Sequence, residues 1–128
     1  MAKTSTQTAV VTSATLTAGS TSRGRLDCSA ADGGHVTLRI TNGGTGPTVQ
    51  CEARVLVSHA ATLPTAASEG TADNDWKQVY VIGGGTTNSA STRGRFVFGP
   101  EVRHLEVEFT GNTGQSVTIE AIATTYAY

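Results

Sequence analysis

The stretch His35-Val36-Thr37-Leu38-Arg39-Ile40-Thr41 alternates apolar and polar residues without a break. Val36, Leu38 and Ile40 point one way, and His35, Thr37, Arg39 and Thr41 the other. Successive side chains on a strand face opposite sides, so this is a strand with one buried and one polar face. The same period recurs outward in both directions. Upstream, Thr8 to Thr17 carries it weakly and Arg25 to Cys28 briefly. Downstream, Val49, Cys51, Ala53, Val55 and Val57 form an inward row; Gln50, Glu52, Arg54 and Ser58 face outward, with Leu56 the exception. Trp76 to Ile82 and Arg95 to Phe98 are two further strands. Arg103, Leu105, Val107 and Phe109 then alternate with His104, Glu106 and Glu108, with Arg103 at the rim of the inner face. Val117, Ile119, Ala121 and Ala123 alternate with Ser116, Thr118 and Glu120.

Eight strands with polar outer faces predict an all-β chain, a β-sandwich of two packed antiparallel sheets with jelly-roll wiring ahead of an immunoglobulin-like one. No segment of ten residues keeps a helical period, and Pro64 interrupts the one candidate turn between Ala60 and Glu69. Asp32-Gly33-Gly34, Asn42-Gly43-Gly44 and Gly111-Asn112-Thr113-Gly114 supply residues that tolerate positive φ. The last is short, which predicts a hairpin between the seventh and eighth strands. Residues 1–7 are polar and read as an N-terminal arm; residues 8–128 read as a single sandwich domain. The longest connection, Ala60 to Asp75, exceeds the roughly 12–15 residues beyond which loops are usually functional or disordered.

Composition agrees. Of 128 residues, 22 are threonine and 15 glycine, a strand former and a turn residue, while only 15% are charged. A net charge of -1 argues against a general nucleic-acid binder, which needs an excess of Lys and Arg. No run of about 18 apolar residues suits a membrane-spanning helix. Met1 to Gln7 lacks the apolar stretch of an export signal, so synthesis in the cytoplasm is expected. Cys28 and Cys51 both fall on inward positions and are expected to be buried free thiols, with a disulfide across the sandwich as the alternative.

The search for chemistry returns little. His35, His59 and His104 stand apart in sequence, without metal-ligand spacing, and read as solvated or interface residues. Asp73-Asn74-Asp75 starts like a calcium loop, but Gln78 and Gly84 occupy the positions that need Gly and Glu. Glu106 and Glu108 point the same way on one strand; with no cleft marked between them they read as a solvated face or a partner for Arg. Gly83-Gly84-Gly85 has no following Lys-Ser or Lys-Thr and reads as a turn. No Gly-x-Ser-x-Gly occurs. No metal, cofactor or catalytic residue is expected.

Two segments echo each other. Thr21-Ser22-Arg23-Gly24-Arg25-Leu26 resembles Ser91-Thr92-Arg93-Gly94-Arg95-Phe96. Either they are equivalent loop-to-strand corners of a sandwich, or their guanidinium groups are paired anchoring points. Arg outnumbers Lys seven to two, and Arg is the residue enriched at interfaces. Arg23, Arg25, Arg93 and Arg95 are therefore candidate interface residues. Lys3 joins them from the arm. Tyr126 and Tyr128 share one face of the last strand and read as a contact surface or as a cap on the sandwich.

The run Ile40 to Ser58, through Asn42-Gly43-Gly44-Thr45-Gly46-Pro47, and the run Val102 to Ala121, through Gly111-Asn112-Thr113-Gly114, together resemble small structural proteins of tailed bacteriophages. The resemblance covers roughly residues 9 to 125 and rests on strand-and-turn motifs. It implies a virion protein made and assembled in the host cytoplasm, and most directly a capsid decoration (cement) subunit without catalysis. A phage tail or fibre component that binds a host receptor or carbohydrate is the alternative. The implied partners are the major capsid protein or other virion proteins and further copies of the chain, a trimer being favoured, with no nucleic acid and no membrane.

Overall fold

The computed structural model describes residues 2–70 and 75–128. Eight strands follow one another: β1 (Thr4–Leu16), β2 (Ser22–Asp27), β3 (Gly33–Asn42), β4 (Glu52–Ser58), β5 (Lys77–Gly83), β6 (Ser91–Phe98), β7 (His104–Thr110) and β8 (Val117–Ala127). The described residues contain no helix. The strands form two four-stranded antiparallel sheets, ordered β1-β8-β3-β6 and β2-β7-β4-β5. Every connection but β4 to β5 passes from one sheet to the other, which is the wiring of a jelly roll.

The period-two rows meet between the sheets. Val36, Leu38 and Ile40 of β3, Ala53 and Val55 of β4, Leu105, Val107 and Phe109 of β7, and Val117, Ile119, Ala121 and Ala123 of β8 are all at most 2% exposed. Fully burying each large apolar side chain contributes about 1.5–3 kcal/mol, so these rows dominate the stability of the fold. Cys28 and Cys51 are buried, free thiols in the same core. Burial pushes both thiols up to about 11, which leaves them protonated and unreactive near neutral pH.

Three local expectations are corrected. Strands β7 and β8 do not form a hairpin: they lie in different sheets, and Gly111 to Gly114 carries the chain across the sandwich. Gly111 (φ 101°) and Gly114 (φ 82°) take the positive φ expected of them. The buried Asn112 between them donates from Nδ2 to the Leu16 carbonyl at 3.2 Å and the Gln115 carbonyl at 3.1 Å, tying the crossing to the end of β1. Within the segment read as an arm, Thr4 to Gln7 are the first rungs of β1, paired with Ala127 to Thr124 of β8. Finally, both Arg-Gly-Arg segments are strand interiors and not corners.

The glycines explain the echo. In each segment the arginines face out and the glycine faces in, on an edge strand that closes against the edge of the opposite sheet. A Cβ on Gly24 would lie 1.8 Å from the Val10 carbonyl oxygen of β1. A Cβ on Gly94 would lie 2.8 Å from the Tyr80 hydroxyl and 2.9 Å from Ile82 Cγ2 of β5. Glycine at these positions lets the two sheets meet at both flanks of the sandwich.

Candidate functional site

The two outer faces differ. The outer face of β2-β7-β4-β5 is covered over β7 by the long connection between β4 and β5, which folds back over it, while Val79 and Val81 of β5 stay exposed. Ala60, Pro64, Thr65, Ser68 and Glu69 supply the contacts. His104 Nε2 donates to the Ala60 carbonyl at 3.0 Å, Arg25 Nη1 to the Pro64 carbonyl at 2.6 Å, and Trp76 Nε1 to the Thr65 carbonyl at 2.9 Å. Ser68 Oγ accepts from Arg23 Nη2 at 2.7 Å and donates to Glu108 Oε2 at 2.8 Å. The Gln78 amide donates to the Glu69 carboxylate. Leu56 and Trp76, each 1% exposed, lie outside the core between the sheets and are buried on this second side. That accounts for Leu56 breaking the alternation.

His104, Glu106 and Glu108 are consequently buried, against the expectation of a solvated face. Glu108 is held by Arg23 Nε at 3.0 Å and Arg54 Nη1 at 3.3 Å, and Arg54 also reaches Glu52 at 2.7 Å. Register explains the set: Arg23 and Arg54 are the direct cross-strand neighbours of Glu108 on β2 and β4. Glu106 is less well served. Its nearest cation is Arg23 Nε at 3.7 Å. Burial, with Glu108 beside it, pushes its carboxyl up to about 7 against the pull of Arg23, the Ala67 backbone amide and Arg25. Both carboxyls are buried, Glu106 at 0% and Glu108 at 1% exposure.

The outer face of β1-β8-β3-β6 is open. Arg93 and Arg95 of β6 stand opposite Arg39 and Thr37 of β3, and Arg39 stands opposite Glu120 of β8. These side chains frame a shallow depression of about 480 Å³ floored by Leu38 and Gly94. Glu120 Oε1 pairs with Arg39 Nη2 at 3.4 Å. Among the described residues Arg93 and Arg95 have no ion pair, and the buried Arg39 Nε has no hydrogen-bond partner. Further along the same face Lys3 lies 5.8 Å from the centre of the Tyr126 ring, which meets Tyr128 edge-on at 5.9 Å. A second hollow there is lined by Lys3, Ser5, His35, Val97, Thr124 and Tyr126.

The structure thus splits the expected interface set. Arg93, Arg95, Lys3 and Tyr126 share the open face, with the exposed Tyr128 at its end. Arg23 and Arg25 lie on the opposite face and are spent on the buried acids and the covering loop. Two residues of the open face, Arg39 and Glu120, were not singled out from sequence. Their signal was an outward Arg and an outward Glu at matching depths on two clean strands. The Asp73-Asn74-Asp75 triplet falls partly outside the described residues; Asp75 itself bonds the His59 amide at 2.9 Å and Lys77 at 2.9 Å. Of Gly83-Gly84-Gly85, read as a turn, Gly83 ends β5 and the other two lead out of it, tied to β3 by Asn42 Nδ2, which donates to the carbonyls of Gly84 and Gly85, each at 3.3 Å.

No protein-family model matches the chain, and no curated protein matches it. Solved structures share its architecture. The SPBc2 prophage-derived protein YomS aligns over 99% of this chain and 96% of its own length, at 16% identity and a TM-score of 0.51. The family 29 carbohydrate-binding module CBM29_1 of Piromyces equi aligns over 94% of this chain and 91% of its own, at 14% identity and a TM-score of 0.50. At such identities what is held in common is the fold, a single jelly-roll sandwich of matching size.

Proposed function

We propose that the chain is a structural virion protein of a tailed bacteriophage, a decoration (cement) subunit that binds a capsid through the open face of β1-β8-β3-β6 and performs no chemistry. The observation that carries this reading is the asymmetry of the two faces. On one, a loop of the chain covers the acids of β7, and Arg23 and Arg54 both pair with Glu108. The other presents Arg39, Arg93 and Arg95 against Glu120, the one carboxylate paired there among the described residues. Arg is enriched at interfaces, and an uncovered cationic sheet face suits a broad contact with an acidic surface. The local resemblance to small phage structural proteins and the fold shared with a prophage-derived protein support the same setting. The partner is then the major capsid protein or a neighbouring virion protein, with copies of the chain arranged as a closed oligomer, a trimer at a local threefold axis. Lys3, Tyr126 and Tyr128 extend the contact along β1 and β8.

The test is the number of copies per particle and the behaviour of particles made without the chain. Hundreds of copies, and shells that break at lower temperature or under milder osmotic shock when the chain is missing, are the expected result. Robust shells that fail to adsorb to cells would replace this reading with a tail or fibre protein that binds a receptor or carbohydrate.

A further inference from the structure

We propose that the depression framed by Arg39, Arg93 and Arg95 is a carboxylate-binding subsite that seats an extended acidic segment of the partner protein. This rests on the docking reading above and names the chemistry of what docks. Arg39 and Arg93 are direct cross-strand neighbours, and Arg95 follows Arg93 by two residues on the same face of β6. Like charges placed opposite one another destabilise a sheet. Among the described residues one carboxylate relieves them, Glu120 on the far side of Arg39 at 3.4 Å. Arg39 Nε stays shielded from water and unbonded, and Arg93 and Arg95 find no acid among the described residues.

The opposite face shows how this chain treats guanidiniums that serve its own fold. Arg23 and Arg54 each meet a carboxylate, and Arg25 meets a carbonyl. The unmatched set on the open face is therefore directed outward. A guanidinium is a planar fork that takes a carboxylate with two parallel hydrogen bonds. Arg93 and Arg95 sit about 6.5 Å apart along the strand, the spacing of acids at alternate positions of an extended partner segment. Because β6 is an edge strand, one side of the depression is free for such a segment. Glu120 limits the anion density the face accepts, which favours discrete carboxylates over a phosphate backbone with its dense charge.

The experiment measures the purified full-length chain against two targets. One is a synthetic extended peptide with glutamates at alternate positions; the other is particles prepared without the chain. R93A/R95A is expected to weaken peptide binding by roughly tenfold or more, a fall that steepens at low salt. R93K/R95K keeps the charge but loses the fork, and should recover only part of the affinity. Glu120→Gln should tighten binding by about two- to fivefold, because it frees Arg39; this gain cannot come from misfolding. Peptide binding unchanged in R93A/R95A, no peptide binding by the native chain, or tighter binding of duplex DNA or inorganic phosphate than of the peptide would each overturn the subsite. Particle occupancy separates the two claims. A native chain that binds the peptide but not the particle ends the docking reading alone; a particle that holds R93A/R95A as well as the native chain ends the subsite alone.

Discussion

Each outer face of this sandwich carries three arginines, and the two sets live differently. On β2-β7-β4-β5, Arg23, Arg25 and Arg54 face Glu52, Glu106 and Glu108, the last two buried where a loop folds over β7. On β1-β8-β3-β6, Arg39, Arg93 and Arg95 face Glu120 in the open. The difference lies in desolvation. A carboxylate removed from water must be paired or take up a proton: Glu108 does the first and Glu106 leans to the second. An open face is under no such constraint, because water solvates what the chain leaves unmatched, and a partner can later replace that water.

The largest expected effect lies under the loop. Trp76→Ala removes the largest side chain buried there and should cost about 3–5 kcal/mol in chemical denaturation. A loss below about 1 kcal/mol would show that the connection does not seal this face. Next come the two matched glycines. Gly24→Ala drives a Cβ into the Val10 backbone and should cost about 3 kcal/mol, whereas Gly94→Ala meets mainly side-chain atoms that can yield and should cost about 1 kcal/mol. Equal melting temperatures for the two variants would undo the idea that the flanks close with unequal tightness.

Glu106 supplies a test in pH. Its carboxyl is raised from an ordinary 4.5 to about 7, so between those values the folded chain holds a proton that the unfolded chain has released. Stability from this group is therefore full below about pH 4.5, falls as pH rises, and is lost above about pH 7. Glu106→Gln should flatten that slope and raise stability at pH 8 by on the order of 2 kcal/mol. A variant with the slope of the native chain would place the titration elsewhere. The smallest effect belongs to the open face. Arg93→Ala should change stability by no more than about 0.5 kcal/mol, and in the stabilising direction because it removes the charge opposite Arg39. A large destabilisation there would mean that the open face, too, serves the fold.

The strands are legible in the sequence because the row that packs between the sheets is apolar and the row facing away is polar. Val36, Leu38 and Ile40, or Leu105, Val107 and Phe109, announce themselves by period alone. The Arg-Gly-Arg strands were legible only in part. Glycine at an inward position looks like a turn signal until the facing backbone of Val10, or the Tyr80 hydroxyl and the Ile82 side chain, is known to occupy its space. Arg93 and Arg95 were recognised as interface candidates, while Arg39 and Glu120 beside them were passed over, since nothing local says that β3, β6 and β8 are neighbours.

What the sequence determined by itself is the inner surface: which residues turn inward, and hence that two sheets must stack. Alternation is a local property, set by backbone geometry and by water's exclusion from apolar side chains. What only the tertiary structure decided is the fate of the outer surface. His104, Glu106 and Glu108 read the same way as Thr37, Arg39 and Thr118, all polar residues between apolar ones. The first group is buried because a loop from elsewhere in the chain lies across it, and the wiring that brings that loop there sends β7 and β8 into different sheets. Covering and strand order depend on contacts between residues far apart in sequence, and no period of two or three residues encodes them.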